Sequence, residues 1–360
     1  MSAVSGPGSS SLPSTVVEVG LEKRRRAGLV AVLAVAGLGL AVAAVFVALL
    51  RARGLPLGVS AYHAAREQLI TSITEALPGR LAFPVTQLLG HVFLSPPFYL
   101  AMAAILFVEW AWPVRREQPV LSPSFVHDLI WYLVTIAIFV VVGGAAWGGI
   151  RGLYEHHLRF LGGGVIPARP AWLRFLLGVV VGDFLAWLHH LIRHKVRAFW
   201  LFHEVHHAQR HMNQWTNERV HLVDGLVAMA IQALPLLVLG VPSFETGAFV
   251  VAAAWYTRLY HANVRGNFGV LRYLLVTPQS HRLHHSLQPE HEDQNFGVIF
   301  SVWDRLFGTL NRDATVYPET GVTDPRFPVE RGFADVLGLR AFLRQQVHPF
   351  RGLVELLRRR

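Results

Sequence analysis

The sequence predicts an all-α, polytopic membrane protein, and two observations carry that prediction. Only 16% of its 360 residues are charged and 52% are hydrophobic, against about 25% charged residues in soluble domains. The apolar residues also gather in runs long enough to enter or cross a bilayer as helices. A third observation concerns chemistry: thirteen of the nineteen histidines lie between positions 189 and 291. The absence of cysteine excludes disulfides, thiolate metal sites and cysteine nucleophiles. The formal charge of +10 fits polar loops and anionic headgroups. It does not indicate nucleic acid as a partner, since no binding motif accompanies it.

Residues 1–26 open with "MSAVSGPGSSSLPSTVVEVG" and end in "EKRRR". Such a Gly/Ser/Pro-rich stretch predicts a disordered basic tail. The apolar run 27–50 is longer than the about 7–15 residues of a cleaved signal peptide. It therefore reads as an additional transmembrane helix. Residues 51–90 are mixed and amphipathic, a loop or surface helix. Five more apolar stretches follow, at Val92–Trp112, Asp128–Ile150, Trp172–His189, Leu226–Leu239 and Thr246–Tyr260. The last two are short and joined by "GVPSFE", so they form either a full hairpin or a re-entrant one. Residues 313–360 read as a basic tail.

Lys23 to Arg26 place the N-terminus in the cytoplasm by the positive-inside rule. Six alternating spans then put Arg115 and Arg116, segment 190–224 and everything after 261 on that side. The intervening loop 151–171 carries Arg151, Arg159 and Arg169, so the rule is obeyed imperfectly. On this reading the protein is a multi-pass membrane protein with both termini and all the histidine motifs on the cytoplasmic side.

Three histidine motifs have helical spacing. His190 and His194, in "DFLAWLHHLIRH", are i and i+4 on one helix face. His203, His206 and His207 form "HEVHH", and His281, His284 and His285 repeat the pattern as "HRLHH". Eight imidazoles exceed the needs of one ion and suit two, each with about four or five nitrogen ligands. Imidazole serves iron, copper, zinc or nickel. A single histidine at an interface is more often a hydrogen-bonded polar group, and a pH-sensing cluster is another use. Neither requires the repeated HxxHH. Two further readings involve zinc. His203-Glu204-x-x-His207 is literally HExxH, the motif of a zinc hydrolase. A histidine-rich zinc transporter or sensor would place its site near the membrane midplane, whereas these motifs lie at span ends.

With "DFLAW" before the first motif, "VTPQSHRLHHS" around the last and "NFGVIFSVWDRLFGTL" after it, the sequence resembles the fatty acid hydroxylase / sterol desaturase superfamily of membrane di-iron enzymes. The likeness covers roughly 95–312, within a domain expected over 91–312. It implies a transmembrane bundle with a cytoplasmic helical cap that carries the metal pair. His261, in "YHANV", resembles the isolated histidine that completes the metal shell of the family. His221, in "RVHLVDG", resembles a family "HPLDG" with Leu222 for proline, and is read as a ligand or a neighbour of ligands. Leu191 replaces a frequent arginine. Asp183, Asn295 and Asp304 are candidates to orient ligand imidazoles, though helix–helix bonding and capping would use them equally well. "WDRLFGT" reads as an anchor between cap and core. His189, His211 and His291 are read as polar groups outside the metal set.

The resemblance implies an oxidoreductase of monooxygenase type with two Fe²⁺ ions and O₂ as co-substrate. It would hydroxylate, or alternatively desaturate, a lipid such as a fatty acid or sterol drawn from the bilayer. The sequence contains no GxGxxG fingerprint, haem motif or iron–sulfur cysteines. Electrons are therefore expected from a separate ferredoxin, cytochrome or flavoprotein reductase.

Overall fold

The first apolar run folds as one long helix, α1 (Ser14–Ala52). The computed structural model describes residues 14–75, 94–138, 142, 144–162, 169–240 and 243–359. At about 1.5 Å per residue, the 39 residues of α1 outrun a hydrocarbon core of about 30 Å. The helix therefore takes in Lys23–Arg26, which the sequence alone assigns to a disordered tail. The earlier part of that tail, 1–13, lies outside the described residues. Helix α2 (Val59–Thr74) returns against α1, with Phe46, Leu50 and Ala65 buried between them. It occupies part of segment 51–90, of which 76–90 lies outside the described residues.

Helix α3 (Pro96–Ala111) packs along α1. The approach is close because α1 presents glycine there: a Cβ on Gly39 would stand 2.8 Å from Tyr99 Cβ. Small residues at such crossings let helix backbones meet. Trp110 adds a hydrogen bond of 3.0 Å from its indole N–H to the Arg25 carbonyl. The expected Asp128–Ile150 span is divided between α4 (Pro123–Ile138) and α5 (Gly144–Leu153), and 139–141 and 143 lie outside the described residues.

Helix α6 (Ala171–Lys195) stops at Val196, whose backbone is extended at φ −107° and ψ 110°. Helix α7 (Arg197–His207) begins at once in a new direction. The apolar pair follows as α8 (Leu222–Leu239) and α9 (Ser243–His261). Among the described residues, three helices are long and apolar enough to cross a membrane: Gly20–Ala52 of α1, α6 and α8. Helices α3 and α4 are apolar but shorter. Six spans were the expectation, so by length and composition half of them qualify.

Three short helices and one long one follow. Helix α10 (Pro278–His284) starts from a reciprocal cap, with Thr277 Oγ1 accepting from the Ser280 N–H and Ser280 Oγ from the Thr277 N–H. Pro278 fixes φ at its first turn. Helix α11 (Val302–Phe307) ends at Gly308, which takes φ +76°. Helices α12 (Phe333–Leu337) and α13 (Arg340–Arg358) complete the chain.

The segment after residue 312 is no free tail. Phe327 and Phe342 are buried with Trp131, Val205 and Ala208 in one core cluster. A Cβ on Gly352 would come within 2.6 Å of Leu201, so α13 lies directly on α7. A buried charge network reinforces this packing. Arg219 bonds Asp128 at 3.0 Å and Glu330 at 3.1 Å, and Gln209, Asn213 and Thr216 donate to the same Asp128 carboxylate. A buried guanidinium needs such partners to offset its desolvation. Residues from α4, the loop after α7 and the C-terminal segment are thereby tied together.

Candidate metal centre

Nine histidines converge where the ends of α6, α7, α9 and α10 meet. They fall into two groups. His190, His194, His203, His207 and His284 form the first; His206, His261, His281 and His285 form the second. Within each group the ring nitrogens lie within 4.8 Å of one another. Among the described residues neither group includes a carboxylate.

The two HxxHH motifs are shared out reciprocally. Helix α7 gives His203 and His207 to the first group and His206 to the second. Helix α10 gives His284 to the first, and His281 with its C-cap His285 to the second. An i, i+3, i+4 triplet spans an arc of helix wide enough to face two neighbouring points. Helix α6 completes one group through His190 and His194, and α9 completes the other through His261.

Hydrogen bonds fix which nitrogen faces inward. Nδ1–H donates to the carbonyl of Phe296 from His190 at 2.9 Å, of Gln294 from His284 at 2.8 Å and of Thr257 from His261 at 2.8 Å. His203 Nδ1–H donates to Asp224 Oδ2 at 3.2 Å, and Arg193 holds the other oxygen at 2.7 Å. With the proton on Nδ1, the Nε2 lone pair is free for a ligand role. Burial pushes the imidazoles of His203, His206, His207, His281 and His285 well below 6.5, and that of His284 down to about 4. Neighbouring imidazoles and Arg193 add to the effect on His203. The rings are thus neutral, the form that binds metal.

The donor set fits metal ions. Nε2 of His190, His203 and His284 is buried with no hydrogen-bond partner among the described residues. In the second group His261 Nε2 lies 2.8 Å from His281 Nε2 and 3.2 Å from His206 Nε2. Lone pairs this close repel unless a cation or proton sits among them.

Several candidate residues have other work. His221 lies outside both groups: its Nε2–H donates to the Gln346 carbonyl at 3.1 Å and its Nδ1 accepts from the Val223 N–H at 3.2 Å. Neither nitrogen is left for a metal, which corrects the ligand reading. Asp183 orients no imidazole; it accepts from the Ile299 and Phe300 N–H groups and from Trp303 Nε1. Asn295 braces α10 by donating to the Ser280 carbonyl and accepting from the Asn311 N–H. Asp304 acts at one remove. It accepts from the N–H groups of Phe296 and Gly297 and from Trp187 Nε1, and the Phe296 carbonyl in turn orients His190. The anchor "WDRLFGT" is completed by Phe307 stacking on Trp187 at 4.6 Å. His189, His211 and His291 stay outside both groups. Glu204, the would-be base of HExxH, pairs instead with His348 of α13 at 3.0 Å.

Sequence reasoning missed Asp224, Arg193 and the carbonyls of Thr257, Phe296 and Gln294. Asp224 had a signal, since it is the acidic residue of "HLVDG".

A groove of about 330 Å³ lies beside the centre. It runs between α6, α8 and α9, lined by Phe175, Gly178, Gly182, Gln232 and Ala254 among others. It shares Asn217, Thr257 and Val298 with a smaller cavity of about 130 Å³ whose wall includes His190, His203, His206, His261 and His281. The mainly apolar groove along a candidate span and the cavity at the imidazoles are therefore neighbours, with the three shared residues as a common wall.

The site and fold define a helical membrane protein with a buried all-histidine centre able to hold two metal ions. Residues 175–309, somewhat over a third of the chain, match the family model Fatty acid hydroxylase. Ornithine lipid hydroxylase OlsE of Rhizobium tropici is 31% identical over 122 residues, 34% of this chain and 37% of that protein. Alkylglycerol monooxygenase of Danio rerio is 31% identical over 138 residues, covering 38% and 30%. The Xenopus tropicalis alkylglycerol monooxygenase is 25% identical over 238 residues, covering 63% and 49%. The match thus spans less than half the length of each of these relatives. No solved structure matches the chain significantly.

Proposed function

We propose that the protein is an O₂-dependent lipid hydroxylase whose two histidine groups hold a pair of iron ions. The observation that carries this reading is the convergence of nine buried or partly buried imidazoles, five and four, beside a mainly apolar groove. The names of the relatives, a lipid hydroxylase and a monooxygenase of alkylglycerols, support an alkyl-chain lipid as substrate. Bound iron would supply O₂ reduction and attack on an unactivated C–H bond. The overall balance is R–H + O₂ + 2e⁻ + 2H⁺ giving R–OH + H₂O. The two electrons come from a separate ferredoxin, cytochrome or flavoprotein reductase.

The chain's own contribution is position and exclusion. His190, His194, His203, His207 and His284 would hold one ion, and His206, His261, His281 and His285 the other. Asp224 and the carbonyls of Phe296, Gln294 and Thr257 keep four of these rings in one tautomer. The groove takes the lipid chain from the bilayer, and its small residues Gly178 and Gly182 leave room for it. Thr257 serves both parts, lining the path while its carbonyl orients His261. In this reading the protein crosses the membrane several times, with the histidine cap on the cytoplasmic side.

Metal analysis of the purified protein with lipid product analysis tests the proposal. About two irons per chain and an O₂-dependent hydroxylated lipid are expected. One zinc per chain, with hydrolysis lost in Glu204→Gln, would instead establish the HExxH hydrolase.

A further inference from the structure

Helix α13 has more faces than its packing uses. Ala341, Phe342, Gln345 and Pro349 are buried, and Gly352 rests on Leu201 of α7. Leu343, Val347, Phe350, Val354 and Leu357 point elsewhere. Their spacing of four, three, four and three residues makes a straight stripe on a 3.6-residue helix. Each is between 45% and 62% exposed. Phe350 is partly covered by Phe202 and His221. The neighbouring Phe333, Leu337 and Leu339 extend the patch, and all are at least 40% exposed.

Arginine borders this stripe. Arg340, Arg351 and Arg358 recur on the helix beside it, one position after Leu339, Phe350 and Leu357. Arg344, in the same row, is turned inward by its ion pair with Asp335. With one face packed on the protein, an exposed apolar stripe beside a cationic margin is the feature of a helix that lies in the plane of a membrane surface. The apolar stripe enters the acyl boundary by about 5–10 Å while arginines meet anionic headgroups. A contiguous exposed apolar patch of this kind needs a cover, and this chain already has helices apolar enough to cross a bilayer.

We propose that α13 lies on an anionic lipid surface, its stripe of Leu343, Val347, Phe350, Val354 and Leu357 inserted and Arg340, Arg351 and Arg358 at the headgroups. The consequence reaches the metal centre. Helix α13 sits on α7, which supplies ligands to both histidine groups, and His348 and Gln346 bond Glu204 and His221. The bilayer would thereby set the height of α7 from outside as it sets that of the candidate span α6. The inference needs a membrane protein but not the hydroxylase chemistry, so either can fail alone.

The chain has no cysteine, so Val347→Cys and Val354→Cys each carry a single fluorophore on the full protein. The proteins are reconstituted in vesicles of phosphatidylcholine with or without about one-third phosphatidylglycerol. Arg312→Cys, on an exposed loop, is the reference. Quenching of the 347 and 354 probes by lipids brominated high on the acyl chain is expected, with iodide in water quenching only the reference. Phosphatidylglycerol should raise the lipid quenching about twofold, and joint Arg340→Gln, Arg351→Gln and Arg358→Gln should remove that increase. Iodide quenching at 347 and 354 equal to the reference would overturn the proposal. So would probes shielded from both quenchers, which would mean that a second copy or another protein covers the stripe.

Discussion

His207 and His285 stack face to face, ring centroids 4.2 Å apart and planes at 19°. One belongs to the group of five and the other to the group of four. The contact makes the two groups a single unit, yet the groups differ in reserve. Removing His285 leaves three imidazoles in its group, whereas removing His207 leaves four. His285→Ala should therefore lower bound metal from about two ions to about one, and His207→Ala should keep most of the metal while turnover falls. Elemental analysis per chain beside a turnover assay reads both. Equal metal loss in the two variants would mean that the rings act as one shared site.

Asp224 joins His203 to Arg193 across α6, α7 and α8. Asp224→Asn keeps an acceptor for the His203 N–H but loses the ion pair; Asp224→Ala loses both. Metal affinity should fall by about 10–100-fold in the alanine variant and less in the asparagine variant. Chelator competition measures this directly. Wild-type affinity in Asp224→Ala would remove the aspartate from any role in holding His203.

The three histidine motifs were legible because ligands on one helix must share its face, and a face has a period. His190 with His194 needed nothing more. What the period could not show is that each HxxHH serves both groups, since that depends on how α7 and α10 cross. His221 and Asp183 show the complementary failure. Both lie close in sequence to ligands, and their partners, Gln346 and residues 299–303, are distant in the chain. Among the described residues, hydropathy and length together single out α1, α6 and α8 as candidate spans. The fold of 313–359 onto the cap rests on Phe327 and Phe342 in the core and is reinforced by Arg219, Asp128 and Glu330, three charges with no local pattern.

Those three charges give a prediction about stability. Arg219→Gln leaves two carboxylates buried without their cation, a loss of about 3–5 kcal/mol. Burial pushes the Glu330 carboxyl up, but Arg219 and His127 outweigh it and hold it at about 2. The Arg344 hydrogen bond holds Asp335 at about 2 as well. A depressed carboxylate stabilises the fold fully above its unfolded value and stops doing so as pH falls through the folded one. The docking of 313–359 should therefore weaken between about pH 4.5 and 2. Thermal midpoints of metal-free protein across that interval provide the check. Glu330→Gln should start lower and fall less steeply than wild type; parallel curves would exclude Glu330 as the source.

Gly182 decides whether the groove is a substrate path. It stands on α6 two turns before His190, and a Cβ built there meets nothing within 4 Å. The residue is therefore not glycine for want of space at Cβ, and a larger side chain would project into the groove it lines. Leucine also favours helix over glycine by roughly 0.5–1 kcal/mol, so Gly182→Leu should fold at least as well as wild type. It touches neither histidine group, and bound metal should not change. A blocked path would lower kcat/KM for a long-chain lipid by about tenfold or more while a short-chain analogue loses much less, the pattern of lost access. Equal loss for both chain lengths would point to the chemical step, and no loss for either would show that the lipid arrives by another route.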